Sequence, residues 1–373
     1  MYDSQKGFTL IEVMVGLVIG MLGTLIVAQA FTNNEARKRA TTSTADAQAN
    51  GGIALYMLER DAKAAGWGMT ATGNSYAGCT NVYAYCDGSA GCGGATGALT
   101  GLDFAPMLIT DGGSNPDTLT IQYFADPNVA SALPSGSTTV RRKMPQPSSE
   151  LDVASAAVCS DGDLALVSSG APLWNCTLMK ITQVQEESSK LQHNPGAKGE
   201  YNPSGNFYTT NTWPKYEVGA NVSCFKAAVN GPVFRKVYSV KTATRELQRS
   251  DNSQDPVVTN ELVMPEVIDL QAQYGVAAAN SQAISSWVDP STTGWTNPAP
   301  ANWRRVKAIR VALVTRISQY ERPAAGANCA ATTALATSWG AISTVNYPAD
   351  WQCYRYRVFE TVIPLRNVIW GRI

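Results

Sequence analysis

An unbroken apolar run near the start of the chain constrains its fold more than any other feature. The run extends from Phe8 to Phe31 and reads FTLIEVMVGLVIGMLGTLIVAQAF. As an α-helix it rises about 36 Å, which is enough to cross a bilayer with some tilt. Glu12 is its only ionisable residue, and a charged side chain at the bilayer centre costs about 2.5–3.5 kcal/mol on insertion scales. The run therefore predicts a membrane helix whose carboxylate needs an explanation.

A cleaved secretory signal explains this run poorly. Such a signal combines a charged start, a shorter apolar stretch and a cleavage site of small residues after it. Here the apolar stretch is longer, and the small residue, Gly7, precedes it. A plain signal anchor is the alternative, but it gives Glu12 no role.

The composition favours a strand-rich domain outside the cytoplasm. The 29 basic and 29 acidic residues cancel, so the whole chain shows no basic excess for direct nucleic-acid binding. An even number of cysteines in loop-like contexts indicates disulfides formed in an oxidising compartment, with buried free thiols as the alternative. The cysteines are Cys79, Cys86, Cys92, Cys159, Cys176, Cys224, Cys329 and Cys353.

The segment KGFTLIE at residues 6–12 resembles the class III signal of type IV pilins and type II secretion pseudopilins. In that family a membrane prepilin peptidase cuts after the glycine and N-methylates the residue that follows. The resemblance implies a cut between Gly7 and Phe8, with Phe8 as the methylated terminus. Glu12 then corresponds to the family's characteristic glutamate near the mature N-terminus.

The amine created at Phe8 gives Glu12 a physical role. An unpaired amine and an unpaired carboxylate are each costly among apolar helices, and an isolated Glu12 in lipid would take up a proton. Pairing the two between neighbouring subunits offsets both desolvation penalties and fixes the axial register. The alternative is a glutamate tolerated near the membrane interface.

Flanking charges alone predict the opposite membrane orientation. Cytoplasmic flanks usually carry Lys and Arg, yet the leader has only Lys6, while a basic triplet follows the run at 37–39. The cysteines and the resemblance place the C-terminal part outside the cytoplasm, and we follow them. The expected divisions are a leader at 1–7, a transmembrane half-helix at 8–31, an extracytoplasmic half-helix at 32–65 and a β-rich periplasmic domain at 66–373.

The helix is predicted to continue beyond the membrane, because residues 32–65 contain no proline. Glu35/Arg39 and Glu59/Lys63 are favourable pairs four residues apart, and Gly66 is the predicted C-terminal stop. Two groups of glycines are predicted to be weak points or sites of close helix packing, namely Gly16, Gly20, Gly23, Gly51 and Gly52. A face for packing on the domain is formed by Leu55, Leu58, Ala62 and Ala65.

After Gly66 the sequence alternates between apolar and polar residues, which is typical of strands. Strands are predicted at 118–124, 163–169, 178–184, 233–241, 267–276, 306–317 and 354–365. Stretches rich in Gly, Ser, Pro and Asn are predicted to be surface loops or insertions, and they cover 70–101, 127–150, 188–214 and 277–303. The expected fold class is α+β, with a long N-terminal helix packed on an antiparallel β-rich, pilin-like domain.

The later segments resemble PilW-type minor pilins of type IV pili, in an order that spans nearly the whole chain. Those segments are ALYMLERDAKAAGW, NPDTLTIQYF, GDLALVSSG, LMKITQV, MPEVIDLQAQYGV, RRVKAIRVALVTR and YRVFETVIPLRN. The type II secretion pseudopilin GspJ is similar in kind. The chain departs from both in two regions, at 74–97 with three cysteines and at 323–353.

This resemblance implies a structural protein of the inner membrane and then of the pilus. Its implied partners are prepilin peptidase, the assembly platform, other minor pilins, the major pilin and a large tip adhesin. It would help to start pilus assembly, with adhesion, twitching and DNA uptake as pilus-level functions. The alternatives are a pseudopilin tip subunit of a secretion system and an anchored adhesin or ligand receptor.

The sequence offers no motif for catalysis, a cofactor or a metal. It lacks the phosphate-binding glycine fingerprint, GxSxG and HExxH, and its one histidine, His193, lies in a polar stretch. The turn TDGGSNPD at 110–117 suggests a calcium loop, but it lacks the EF-hand spacing and favours a solvated turn. The basic triplet at 141–143 is predicted to be solvated. We therefore expect no enzyme.

Sequence spacing ranks the disulfide pairings without fixing them. Cys329 and Cys353 bracket an insertion, and closing that loop contributes about 3–4 kcal/mol in the chain-entropy model. Cys159 and Cys176 flank the predicted strand at 163–169 and are expected to join across a hairpin. Three of the remaining cysteines lie in the glycine-rich loop, namely Cys79, Cys86 and Cys92. Two of these three are expected to pair with each other, and the third is expected to pair with Cys224 or to stay unpaired.

Overall fold

The protein consists of one long helix on a β-rich domain, and its fold class is α+β as predicted. The structure is a computed structural model that describes residues 9–71, 74–75, 79, 81–89, 92, 96–99, 104–124, 136–169, 175–195, 200–228, 231–253, 256–296, 298–323 and 325–370. Its helices are α1 (Leu10–Ala62), α2 (Gly205–Thr210), α3 (Pro300–Trp303) and α4 (Arg366–Trp370), with a 3₁₀ turn at Trp351–Cys353.

The strands within the described residues are β1 (Thr70–Ala71), β2 (Asn74–Ser75), β3 (Asn81–Asp87), β4 (Thr96–Leu99), β5 (Met107–Thr110), β6 (Thr118–Tyr123), β7 (Gly136–Thr139), β8 (Leu151–Asp152), β9 (Leu164–Ser168), β10 (Asn175–Lys180), β11 (Gln183–Gln185), β12 (Lys190–Gln192), β13 (Asn221–Phe225), β14 (Phe234–Lys241), β15 (Glu246–Asp251), β16 (Val258–Pro265), β17 (Val267–Ala277), β18 (Ile284–Val288), β19 (Val306–Arg316), β20 (Ala336–Thr337), β21 (Gly340–Ala341) and β22 (Tyr356–Pro364).

The apolar face of α1 packs against two antiparallel sheets. The five-stranded sheet has the order β16-β15-β14-β6-β5, and the four-stranded sheet has the order β18-β17-β19-β22. Leu58, Ala62 and Ala65 are fully buried in the core that these sheets share with the helix, and Leu55 packs against it. The helical periodicity of the sequence predicted this face correctly.

Helix α1 ends earlier than predicted. Its last residue is Ala62, and residues 63–69 form turns. Gly66 has a φ of +75° and donates its N–H to the carbonyl of Gln122 at 2.9 Å. The glycine therefore turns the chain into the domain after the helix has ended, because residues other than glycine rarely adopt this left-handed conformation.

The rest of the domain contains a six-stranded sheet in the order β4-β3-β10-β9-β13-β7, a three-stranded sheet in the order β11-β12-β8, and the two-stranded sheets β1-β2 and β20-β21. β3 and β10 run parallel, whereas the other neighbours are antiparallel. Alternate residues of β9 enter two different cores, with Leu164 and Leu166 on one face and Ala165 and Val167 on the other. β9 is therefore buried on both sides, which explains its continuous apolar sequence.

Several predicted loops are in fact part of sheets. The stretch 70–101 contains β3 and β4, 127–150 contains β7, 188–214 contains β12 and α2, and 277–303 contains β18 and α3. The predicted strand at 178–184 is two strands, because β10 pairs with β9 in the six-stranded sheet whereas β11 pairs with β12 in the three-stranded sheet. Short polar strands pair through their backbones, so their side chains need not alternate.

All eight cysteines form disulfides, and their pairing corrects part of the prediction. The bridges are Cys79–Cys176, Cys86–Cys92, Cys159–Cys224 and Cys329–Cys353. The spacing predicted the last bridge and a bridge within the glycine-rich loop.

The expected bridge between Cys159 and Cys176 is wrong, as is the suggestion that the third loop cysteine joins Cys224 or stays unpaired. Cys176 lies in the core on one face of the six-stranded sheet, whereas Cys159 and Cys224 lie in the core on the other face. The sheet therefore separates Cys159 from Cys176, although the two residues are close in the sequence.

Asp117 connects the five-stranded sheet to the four-stranded sheet. Its N–H donates to the carbonyl of Leu270 at 2.7 Å, and its carboxylate accepts the N–H groups of Ala272 and Gly112 at 2.8 and 2.9 Å. Burial raises the pKa of Asp117 to about 7, and the charges of Asp111 and Asp269 act in the same direction. One aspartate thus takes the place of a neighbouring strand beside the first half of β17.

The insertion at 323–353 covers part of the outer face of the four-stranded sheet. Leu335 and Ile342 form a small core with Ile268 and Val314. The hydroxyl of Tyr347 donates to Asp269 at 2.8 Å, and burial raises the pKa of that carboxylate. The insertion is therefore packed on the domain rather than extended into solvent.

The glycine pair of α1 gives a matched test of helix packing. A Cβ at Gly51 would overlap the ring of Phe359, whereas a Cβ at Gly52 meets nothing within 4 Å. We expect Gly51→Ala to lower the free energy of unfolding by about 1–3 kcal/mol through overpacking. Gly52→Ala should raise it by about 0.5–1 kcal/mol, because alanine favours the helix. Urea unfolding in micelles measures both, and equal effects would contradict this packing.

Asp117 should make stability depend on pH. Its folded pKa of about 7 exceeds the unfolded value of about 3.9, so the folded state keeps a proton that the unfolded state has lost. The free energy of unfolding therefore falls as pH rises from about 4 to about 7. Asp117→Asn should remove about 2–4 kcal/mol of this fall, whereas the exposed Asp46→Asn should retain it. An unchanged pH profile of urea unfolding in Asp117→Asn would refute the assignment.

Candidate assembly site

The first turn of α1 is organised by Thr9 and Glu12. Thr9 donates its N–H and its hydroxyl to Oε2 of Glu12 at 2.9 and 3.0 Å, and the N–H of Glu12 donates to Oγ1 of Thr9 at 3.3 Å. This arrangement is a capping box, which satisfies backbone donors that the helix start would leave unpaired. Glu12 therefore has a structural role within its own chain, in addition to any role between chains.

One oxygen of the Glu12 carboxylate remains available. Both bonds from Thr9 end on Oε2, and within the described residues Oε1 accepts no hydrogen bond. The side chain is exposed. A cationic donor from another molecule can therefore reach Oε1 without breaking the cap.

The first half of α1 is not buried against the described part of the domain. Its apolar side chains are exposed, and the exposed fraction is 79% for Leu10 near its start and 75% for Phe31. By length and hydropathy, α1 is the one helix in the described part of the chain that could cross a membrane. A Cβ at Gly16, Gly20 or Gly23 would meet nothing within 4 Å, so these glycines have no packing role inside this chain. The surface they lie on is left for lipid or for other helices.

The second half of α1 is held by a buried ionic network around Asp61. The hydroxyl of Tyr238 donates to Asp61 Oδ2 at 2.6 Å. Arg249 Nη1 lies 3.5 Å from Oδ2, and Lys236 Nζ lies 3.5 Å from Oδ1, while the helix neighbour Arg60 contacts Oδ1 at 3.0 Å. Apart from Arg60, these partners come from β14 and β15, so the network connects the last turn of the helix to the middle of the five-stranded sheet.

The network keeps Asp61 ionised. Burial acts to raise the pKa of Asp61, but the Tyr238 hydrogen bond and the charges of Lys236 and Arg60 outweigh it and place the pKa below its usual value. Burial and the adjacent Asp61 raise the pKa of the Tyr238 phenol. Asp61 thus stays a carboxylate that is only 2% exposed, a state that its cationic neighbours stabilise.

The predicted ion pairs of the helix are present. Arg39 Nε lies 2.8 Å from Glu35 Oε1, and Lys63 Nζ lies 2.8 Å from Glu59 Oε1. The first pair is exposed and the second is partly exposed, so each contributes about a few tenths of a kcal/mol. They support the helix without fixing its position on the domain.

Gly7 and Phe8, the predicted processing residues, lie outside the described residues. Among the other residues considered from sequence, His193 is buried with its Nε2 2.7 Å from the carbonyl of Ser149, and burial lowers its pKa. The basic triplet is engaged in ion pairs, Arg141 and Arg142 with Asp152 and Lys143 with Glu217. None of these groups is arranged as a binding site.

The carboxylates of the 110–117 turn point at backbone N–H groups rather than at a shared centre. Asp111 accepts the N–H of Gly113 at 3.0 Å, and Asp117 accepts the bonds described above. In the described part of the chain, the one group with metal-ligand spacing is Cys86, Asp87 and Cys92. Its two sulfurs are joined to each other, so it is not a thiolate site.

Sequence reasoning missed the Asp61 network and the capping box. The pattern Thr-x-x-Glu directly before an apolar run is a sequence signature of a helix start, and it was present in TLIE. The partners of Asp61 lie 175 or more positions away in Lys236, Tyr238 and Arg249, and no local signal connects them. An acidic residue inside an otherwise apolar helix face was the one available sign.

Comparisons with known proteins agree with this architecture. The family model described as type IV pilus-assembly protein W matches residues 236–367, which hold most of β14 and all of β15 to β22. The model described as prokaryotic N-terminal methylation motif matches residues 2–28. No curated protein and no solved structure gives a significant match.

Removal of the Asp61 charge should loosen the helix from the sheet. Asp61→Asn leaves Lys236 and Arg249 close together in a buried site, and breaking such a pair costs about 3–5 kcal/mol. Glu59→Gln removes a neighbouring ion pair that is partly exposed, and it should cost less than about 1 kcal/mol. Urea unfolding of the two variants in micelles provides the comparison. Equal losses of stability would contradict the anchoring role of Asp61.

Proposed function

We propose that this chain, which matches the model of type IV pilus-assembly protein W over residues 236–367 and that of the N-terminal methylation motif over residues 2–28, is a minor pilin of the complex that primes assembly of a type IV pilus. In this proposal prepilin peptidase cuts between Gly7 and Phe8 and methylates the amine of Phe8. The mature chain is held in the inner membrane by α1, with its β-rich domain in the periplasm. It then joins other minor pilins on the assembly platform and remains in the pilus beside the major pilin and a tip adhesin.

The proposal rests on the difference between the two halves of α1. Its first half is exposed and apolar, whereas its second half is buried against two sheets and held by Asp61. A single rigid element can therefore occupy a membrane or a bundle of helices while it carries the domain above. The matching family is structural, which favours an assembly role over catalysis and a pilus over a secretion system.

Glu12 is the residue we assign to contact between subunits. The cleaved terminus at Phe8 would lie one residue before the Thr9 cap, so each subunit would carry a cation close to the start of its helix. Glu12 Oε1 is available to such a cation from a neighbour, and both charges are costly in a low-dielectric bundle unless they pair. The pair would fix the height of one subunit relative to the next.

Processing is tested first. Mass spectrometry of the chain from cells with active prepilin peptidase should show an N-methylated Phe8 terminus. Gly7→Leu should leave the leader attached, because the peptidase site then presents a bulky residue. An intact leader on the wild-type chain in such cells would refute the proposed maturation.

Three substitutions separate the roles of capping and charge. Glu12→Gln keeps a capping box, since glutamine serves at this position, but it removes the charge. Thr9→Ala removes the cap and keeps the charge, and Glu12→Ala removes both.

We expect Glu12→Gln and Glu12→Ala to reduce pilus number similarly, by about tenfold or more. Thr9→Ala should be tolerated, since loss of a cap costs only about 1 kcal/mol. Piliation is counted by electron microscopy in a strain that depends on the variant, with processing confirmed in each. Normal piliation with Glu12→Gln would contradict amine pairing and leave capping as the role of Glu12.

A further inference from the structure

The solvent-facing side of the four-stranded sheet carries an aromatic cluster that the assembly function does not use. The guanidinium carbon of Arg310 lies 4.9 Å from the ring centre of Trp287 and 4.5 Å from that of Trp339. All three side chains are only half-buried. We call Trp287, Arg310, Trp339 and the adjoining Gln273 and Asp289 the outer patch.

The first tryptophan packs against a glycine near the C-terminal end of β17. Gly275 pairs with Trp287 across the strands, and a Cβ at this position would lie 2.8 Å from the indole ring. Glycine inside a strand costs stability and often marks a close approach. The glycine therefore costs some strand stability, but it allows the Trp287 ring to approach the backbone of β17 closely.

The second tryptophan comes from the insertion. Trp339 lies at the turn of the β20–β21 hairpin, and the N–H of the preceding Ser338 donates to Glu360 Oε1 at 2.7 Å. The Cys329–Cys353 bridge closes the insertion. A covalently closed segment and a hydrogen bond to β22 thus position a half-exposed indole over Arg310.

Planar polar groups lie beside the two rings in a fixed arrangement. Arg310 donates Nε–H to Gln273 Oε1 at 2.9 Å, and Gln273 Nε2 donates to Asp289 Oδ2 at 3.2 Å. Asp289 is itself held by the N–H and hydroxyl of Ser291 at 3.0 and 2.6 Å. Such a chain of bonds holds the donors and acceptors in place before any ligand arrives, which lowers the entropy cost of binding.

We propose that the outer patch binds a neutral oligosaccharide. The apolar C–H face of a pyranose ring fits against an exposed indole, and its adjacent hydroxyl groups match the planar Arg, Gln and Asp groups as both donors and acceptors. Asp289 and Glu360 outnumber the single charge of Arg310, which disfavours phosphate, sulfate and nucleic acid. The patch contains only a handful of residues, far fewer than the 20–30 per side of a standard protein interface.

Binding is tested on the full chain in micelles of a detergent that contains no sugar. Neutral pentasaccharides of glucose in α and β linkage, of mannose and of N-acetylglucosamine serve as probes. The readout is the indole N–H resonances of ¹⁵N-labelled protein, assigned by single Trp→Phe replacements. We expect at least one probe to shift the resonances of Trp287 and Trp339 and to saturate at or below about 10 mM.

Variants locate the site. Trp339→Ala and Trp287→Ala should each weaken binding by about tenfold or more. Gly275→Ala, which displaces the Trp287 ring, should weaken it as well. Trp67→Ala changes a tryptophan that is 39% exposed on the turn after α1, and binding should be unchanged. Peptide mapping of the Cys329–Cys353 bridge and near-ultraviolet circular dichroism establish that each variant is folded.

Three results would overturn the proposal. The first is that none of the pentasaccharides shifts either indole at about 10 mM. The second is binding that survives in both Trp287→Ala and Trp339→Ala. The third is binding of sulfated pentasaccharides in preference to neutral ones. The inference does not depend on pilus assembly, because a chain with Glu12→Gln should bind the same probe with unchanged affinity.

Discussion

The contact between the second half of α1 and the domain is the interaction on which the rest of the structure depends. A helix that is exposed over its first half transmits any force or displacement to the domain only through its second half. Two contacts fix that half, the close approach of Gly51 to Phe359 on the four-stranded sheet and the Asp61 network on the five-stranded sheet. They lie about 15 Å apart along the helix. Together they set both the rotation and the height of α1.

The Asp61 network contributes more to geometry than to net stability. Buried ion pairs are often no more stabilising than apolar residues of the same volume, because both charges lose their hydration. An apolar contact, however, tolerates small sliding between helix and sheet. A carboxylate with a phenol at 2.6 Å and two cations at 3.5 Å does not, because any shift leaves a buried charge unpaired. This specificity suits a subunit whose helix must present its N-terminus at a defined level.

The same principle connects the sheets. Asp117 bonds to the backbone of β17 on the edge opposite β19, before the residues that pair with β18. Glu266 bridges Arg245 and Arg316 at 3.3 and 2.9 Å. Glu266 and Arg245 both have a positive φ, near 58°, which costs energy for residues other than glycine. The ion pairs and the bond from the Arg316 N–H to the Glu266 carbonyl at 2.8 Å hold them there. Polar junctions thus join sheets whose apolar cores alone would leave their relative positions loosely defined.

Local patterns in the sequence predicted the local structure well. Helical spacing identified the buried face of α1, and alternation identified strands such as β6, β14, β17, β19 and β22. Polar strands such as β15 and β16 escaped prediction, because Arg249 of β15 pairs with Glu261 of β16 and most β16 side chains face solvent instead of alternating with a core. The pairing of Cys159 with Cys224 also escaped, since it depends on which face of β9 each cysteine occupies. The arrangement of strands in the sheet determines which cysteines share a face, and spacing along the chain does not show this arrangement.

Glu12 shows how one residue can serve the free subunit and the assembled one. In the chain alone, both bonds from Thr9 converge on Oε2, so the cap offsets part of the cost of placing a carboxylate in the first turn. In our proposal a neighbour's amine approaches Oε1, and the two interactions do not compete for the same atom. The helix start would then be identical before and after assembly, and the binding energy of the pair would not be reduced by loss of the cap. Assembly would need no local refolding at the residue that directs it.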